Sequence, residues 1–205
     1  MDLRAALSYC SIVAILRGVK PDEIDGIGDA LIEAGITVIE VPLNSPQPFE
    51  SIKRLADRHG HHALIGAGTV LETADVARLK EAGGKLVVAP NFDADVVRAA
   101  RAAGLVSLPG VMTPSEGFAA LKAGADGLKL FPAEIIPPLV FKAWRAVFPP
   151  DCLMLAVGGV STGNIKSYIE AGASGFGIGS SIYKPGRTAA EIAPLARAMA
   201  MAAKA

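Results

Sequence analysis

At 205 residues the chain is long enough for one sizeable hydrophobic core, and its composition marks no tail, linker or second domain within 1–205. Twenty Lys and Arg balance twenty Asp and Glu, which excludes the basic excess that holds nucleic acid and points instead to small-molecule partners. No apolar run approaches the ~20 residues of a membrane-spanning helix, MDLRAALSYC lacks a signal-peptide layout, and Cys10 and Cys152 have neither redox nor metal spacing, so a cytoplasmic protein is expected.

Short β-type runs then recur along the chain: SIVAILRG from Ser11, TVIEVPLN from Thr37, ALIGAGTV from Ala63, KLVVAPN from Lys85, LVSLPGV from Leu105, GLKLFPA from Gly127, LMLAVGGV from Leu153 and GFGIGS from Gly175. Their starts lie 20 to 26 residues apart. Segments with helical periodicity, such as DEIDGIGDALIEAG and DADVVRAARAAG, fill the gaps, and five of them close on a residue-Ala-Gly stop at Gly35, Gly83, Gly104, Gly124 and Gly172. Strand-then-helix units without hairpin signals require parallel strands, because each helix supplies the crossover. A doubly wound open sheet uses about six units and leaves edges, whereas eight nearly equal units close a barrel. The expected fold is therefore an α/β protein of the (β/α)8 TIM-barrel type, in which chemistry gathers where strands end and strand starts serve stability.

Taken in chain order, the first run ends in Arg17, on the same side as Val13 and Ile15. In the second, alternation puts Ile39, Val41 and Leu43 on one side and Val38, Glu40 and Pro42 on the other. The continuous aliphatic side suits the helices, so Glu40 points into the barrel. The histidines of RHGHHAL, His59, His61 and His62, precede the third run and so lie at the stability end; they read as a solvated loop, and no metal centre is expected. In the sixth run the same parity sends Leu128 and Leu130 to the helices and Lys129 inward with Phe131. Of ten lysines, only Lys129 takes an inward position near a strand end. The plain alternative is a buried Lys129–Glu40 ion pair without a task, but such pairs add little stability once desolvation is counted.

The seventh and eighth runs close with AVGGV and GIGSS, and barrels frequently bind phosphate at these two strand ends. Gly158, Gly159, Gly179, Ser180 and Ser181 are the phosphate candidates, although glycine also relieves crowding where helix meets strand. A lysine amine attacks a carbonyl only when neutral, and at an ordinary pKa of about 10.4 fewer than roughly one in a thousand is neutral at pH 7. Apolar neighbours and Arg17 lower that pKa while a carboxylate raises it, and the sequence leaves the sign of the sum open. Once condensed with a keto group, the protonated imine withdraws electrons and permits carbon–carbon cleavage beside it, with Glu40 moving protons.

The series AILRG, EVPLNSP, IGAGTV, LKLFPAE, AVGGV and GIGSS resembles the lysine-dependent 2-keto-3-deoxy-6-phosphosugar-acid aldolases, in order from Arg17 to about Lys184. That resemblance implies a homotrimeric (β/α)8 enzyme without metal or cofactor, cleaving a phosphorylated keto-deoxy sugar acid into pyruvate and D-glyceraldehyde 3-phosphate. It implies that Lys129 forms the Schiff base, Glu40 shuttles protons, Arg17 and Thr69 hold the carboxylate or keto end, and Gly159, Gly179 and Ser180 hold phosphate. Thr69 comes mainly from the resemblance; it ends the third run with an inward hydroxyl, although a threonine there serves strand packing equally well. Where gluconate-type relatives typically carry arginine this chain has Asn44, as in the galactonate type, and dual activity stays open because the epimers differ at one hydroxyl. A phosphosugar isomerase or epimerase would need a metal set or paired acids, and Glu40 is the one inward carboxylate. A non-catalytic barrel would form no imine.

Overall fold

The computed structural model describes residues 2–204. The expected units appear in order: β1 (Ile12–Ile15), α2 (Ile24–Glu33), β2 (Val38–Pro42), α3 (Pro48–His59), β3 (Leu64–Gly68), α4 (Thr73–Glu81), β4 (Leu86–Val88) and α5 (Ala94–Ala102). They continue with β5 (Val106–Leu108), β6 (Gly110–Val111), α6 (Pro114–Ala123), β7 (Gly127–Leu130), α7 (Pro138–Arg145), β8 (Leu153–Val157), α8 (Ile165–Glu170), β9 (Gly175–Ile178) and α9 (Ala189–Ala202). All five residue-Ala-Gly stops hold a left-handed glycine, with φ between 74° and 103°.

The fifth run differs from its expected single strand. Pro109 divides it into β5 and β6, because proline has no N–H to continue a ladder. Its carbonyl still accepts from the Lys129 N–H at 2.9 Å. The sheet runs β5-β4-β3-β2-β1-β9-β8-β7-β6, so its two ends are halves of one stave. The Asp126 N–H also donates to the Ser107 carbonyl at 3.1 Å, bringing the β7 edge against β5 and completing the ring. Nine strands thus make the eight staves of a (β/α)8 barrel.

Strand parity divides the apolar residues into two layers. Ile12, Ala14, Ile39, Val41, Ile65, Leu128, Leu130, Met154 and Phe176 face outward and pack with the helices. Val13, Val38, Leu64, Leu86, Leu108, Leu153, Leu155 and Val157 fill the interior. A helix not anticipated in MDLRAALSYC, α1 (Leu3–Tyr9), plugs the strand-start end by adding Leu3, Ala6 and Leu7 to that inner layer. Its start is capped by Asp2, whose carboxylate accepts from the Ala5 N–H at 2.7 Å. The floor is therefore closed and apolar, and the working end is the opposite one.

The histidines correct one expectation. His59 ends α3 rather than lying in a solvated loop, and it is buried beside Asp29 of α2, with 3.0 Å between Nε2 and Oδ1 in a contact not aligned as a hydrogen bond. The helical period places it on the inner face of α3 with Ile52 and Leu55. His61 and His62 follow at the strand-start end, their nearest ring nitrogens 2.8 Å apart.

Candidate active site

Glu40 sits in the middle of β2 and Lys129 one residue before the end of β7, and both point inward. They are 2% and 6% exposed, which makes them the buried charges of the barrel interior. Space for the carboxylate comes from β3, whose inward positions are Gly66 and Gly68. A Cβ on Gly68 would collide with the Glu40 carboxylate. Gly68→Ala is therefore expected to displace that carboxylate, lowering turnover at least tenfold and costing about 1–3 kcal/mol of stability. Parallel kinetics and thermal melting check this; wild-type values for both would show that Glu40 has slack.

Glu40 Oε2 is buried and has no hydrogen-bond partner. Burial pushes the Glu40 pKa up, against the charges of Lys129 and Arg17, which pull it down. Burial is likewise the largest influence on Lys129 and lowers its pKa; Glu40 opposes the shift and Arg17 reinforces it. The sign that the sequence left open is thus downward. The Lys129 ammonium position also lies 4.9 Å from the centroid of the Phe131 ring, which walls one side of it.

Above Lys129 the barrel opens into a cavity of about 590 Å³. Arg17, Lys129, Gly158, Gly159, Gly179, Ser180 and Ser181 all line it. Glu40 lies deeper, against Lys129 and the apolar side chains of Val13, Leu155 and Val157. Thr69 lines neither the cavity nor the space around Glu40. It lies one residue past β3, half-buried, with φ of 57°. A β-branched residue in the left-handed region is strained, and such strain is found most often beside functional sites.

The two glycine loops are tied to each other. The Ser181 hydroxyl donates to the Val160 carbonyl at 3.0 Å, so its oxygen links the loops. Ile182 and Tyr183 N–H groups both donate to the Gly179 carbonyl at 2.9 Å, forming a helical turn whose first N–H groups have no preceding carbonyl. Arg187 fastens the turn from outside by donating to the Ser180 and Ile182 carbonyls at 3.3 and 2.8 Å. Gly158 and Gly159 both take positive φ, 105° and 65°, and Glu134 packs across them where any Cβ would stand.

Three polar cavity residues went unread in the sequence: Glu134, Tyr183 and Lys184. Their signal was position, since Glu134 closes LKLFPAE and Lys184 follows GIGSS by three residues. Lys184 adds a third cation, with Arg17 and Lys129, against one exposed acid, Glu134. Burial pushes the Tyr183 phenol up to about 12, so its hydroxyl stays neutral.

A buried amine of lowered pKa, an adjacent carboxyl and a cationic cavity edged by glycine loops is a layout for imine chemistry on an anionic substrate. A family profile described as KDPG and KHG aldolase matches residues 3–193. A Rhizobium meliloti protein named "Probable 2-dehydro-3-deoxy-6-phosphogalactonate aldolase" is 51% identical over 181 residues, covering 88% of this chain and 85% of that one. The Escherichia coli protein named "2-dehydro-3-deoxy-6-phosphogalactonate aldolase" is 44% identical over 191 residues, covering 93% of each. A solved structure described as "Native KDPGal structure" superposes with a TM-score of 0.93 at 43% identity, over 94% of each chain. With that profile spanning most of its length and those identities over most of both chains, this chain belongs to the KDPG and KHG aldolase family.

Proposed function

We propose that this chain is a Schiff-base aldolase that cleaves 2-dehydro-3-deoxy-6-phospho-D-galactonate to pyruvate and D-glyceraldehyde 3-phosphate. The observation that carries the reading is the buried Lys129 amine, held below its ordinary pKa beside Glu40 at the foot of the cavity. The neutral amine attacks the C2 keto carbon, and Glu40 as the carboxylic acid gives its proton to the departing hydroxyl, so that loss of water leaves a protonated imine and the Glu40 carboxylate. The Glu40 carboxylate takes the C4 hydroxyl proton, the C3–C4 bond breaks, and its electron pair moves into the imine to give an enamine. D-Glyceraldehyde 3-phosphate leaves as the aldehyde. Glu40 returns the proton to C3, and water hydrolyses the protonated imine to pyruvate and free Lys129, the released proton going back to the Glu40 carboxylate.

In this reading Arg17 anchors the carboxylate, Thr69 supports that end from the rim, and Gly158, Gly159, Gly179, Ser180 and Ser181 receive the phosphate, with Lys184 adding charge. Glycine loops suit a phosphate because backbone N–H groups approach closely. The two relatives named for the galactonate substrate and Asn44 in PLNSP support the epimer. The test is aldehyde release from the galactonate-derived and gluconate-derived substrates. The expected result is higher kcat/KM on the galacto epimer; preference for the gluco epimer would overturn the substrate assignment, and no cleavage of either would overturn the activity.

The amine reacts only when neutral and its pKa is depressed, so pyruvate-dependent inactivation by borohydride should rise with pH and level off below about 10.4. A midpoint at or above that value would contradict the lowered pKa. We further propose a single-domain, cytoplasmic homotrimer. Ile135 and Leu139, 60% and 81% exposed on the segment after β7, are an apolar surface that such an assembly would bury. Leu139→Asp is expected to shift the mass in light scattering from trimer to monomer, and an unchanged trimer would remove this surface from the interface.

A further inference from the structure

Arg17 follows the end of β1 and reaches the cavity on a long, exposed side chain. Such a side chain binds a carboxylate well only when something fixes it, because free rotation of arginine opposes binding. The loop after β2 supplies two consecutive contacts. Arg17 Nη1 donates to the Asn44 side-chain carbonyl at 2.7 Å, and the Gly18 N–H donates to the Ser45 hydroxyl at 2.9 Å. Ser45 is itself buried, so this grip has a fixed base. Gly18 holds a positive φ of 83° against Pro185, which pins the turn from the other side. Asn44 is absent from the lining of the cavity and is joined to it through Arg17.

We infer that Asn44 is a positioning residue, which orients the Arg17 guanidinium toward the substrate carboxylate while leaving its positive charge unneutralised. The amide is the feature that does both. It offers an oxygen acceptor to one guanidinium nitrogen, and the remaining donors stay free for a bidentate carboxylate. An aspartate would make the same hydrogen bond but pair the charge that the substrate must meet. This inference rests on the reading of Arg17 as the carboxylate anchor.

The experiment uses pyruvate as the probe and measures the concentration that half-saturates borohydride inactivation in the full-length protein. Arg17→Ala should raise that concentration strongly. Asn44→Ala should raise it about tenfold, the size expected for one charge-assisted hydrogen bond, with the saturated rate within about twofold of wild type. Asn44→Asp should raise it further, a result that a purely structural role for Asn44 would not give. In the Arg17→Ala background, Asn44→Ala should have no additional effect. If Arg17→Ala leaves half-saturation unchanged, the carboxylate role of Arg17 and the inference fail together. If Arg17→Ala acts as expected but the two substitutions simply add, or Asn44→Ala is silent, or Asn44→Asp behaves as wild type, only the inference is overturned.

Discussion

Lys129→Ala is expected to lower kcat/KM for aldol cleavage by more than about 10⁴-fold, because loss of the nucleophile removes the covalent route and leaves only binding and electrostatics. The protein should still fold. Removing one partner of a buried pair is costly when the other stays charged, but burial already holds the Glu40 pKa up, and without the cation it moves further toward the neutral acid. A second substitution separates nucleophile from ion pair. Lys129→Arg retains a cation beside Glu40 yet cannot lose its proton at any accessible pH, so it should be as inactive as the alanine variant. Measurable turnover by Lys129→Arg, in rates followed by pyruvate release, would mean that charge at this position matters more than amine nucleophilicity.

Glu40→Gln is expected to reduce cleavage by about 10²–10⁴-fold, the usual contribution of a general acid–base group. The amide keeps the size that Gly68 accommodates, so the loss is one of proton transfer rather than packing. Exchange of the pyruvate methyl protons with solvent should fall in parallel, since the same carboxyl would move the proton at C3. The pH behaviour moves in the opposite sense. Glu40 opposes the lowering of the Lys129 pKa, so its removal should shift the midpoint of borohydride trapping to lower pH while turnover drops. A residue acting only to stabilise the ammonium would give the pH shift without the loss of exchange; unchanged exchange and cleavage would remove Glu40 from the mechanism.

The barrel was readable because its repeat is local. Each helix stop carries its own glycine, and each strand its own alternation, so the inward aim of Lys129 and Glu40 followed from parity within GLKLFPA and TVIEVPLN. What depends on contacts between distant segments was not readable. The fifth stave is one such case: the missing N–H of Pro109 is local, but the closure of the ring by β7 across both halves is not. The plug α1 is another: Leu3, Ala6 and Leu7 have helical spacing behind the Asp2 cap, but seven residues are too few to hold a helix alone, and the floor of the barrel supplies the packing. His59 was misread for the same reason, since its partner Asp29 lies on a different helix. The lowered pKa of Lys129 required distances, as burial and the opposing charges of Glu40 and Arg17 come from three separate staves. Thr69 shows the limit of parity itself: its positive φ departs from the strand conformation one residue after β3 ends, and alternation no longer predicts where its hydroxyl goes.

The central claim is that the Lys129 amine is the nucleophile that forms the imine in this barrel. Incubation with pyruvate and borohydride, followed by proteolysis and peptide mass mapping, tests it most directly. The reduced pyruvate adduct is predicted on the peptide that contains GLKLFPAE, at Lys129 and nowhere else. Full aldol cleavage with Lys129 unmodified, or an adduct on a different lysine, would contradict it.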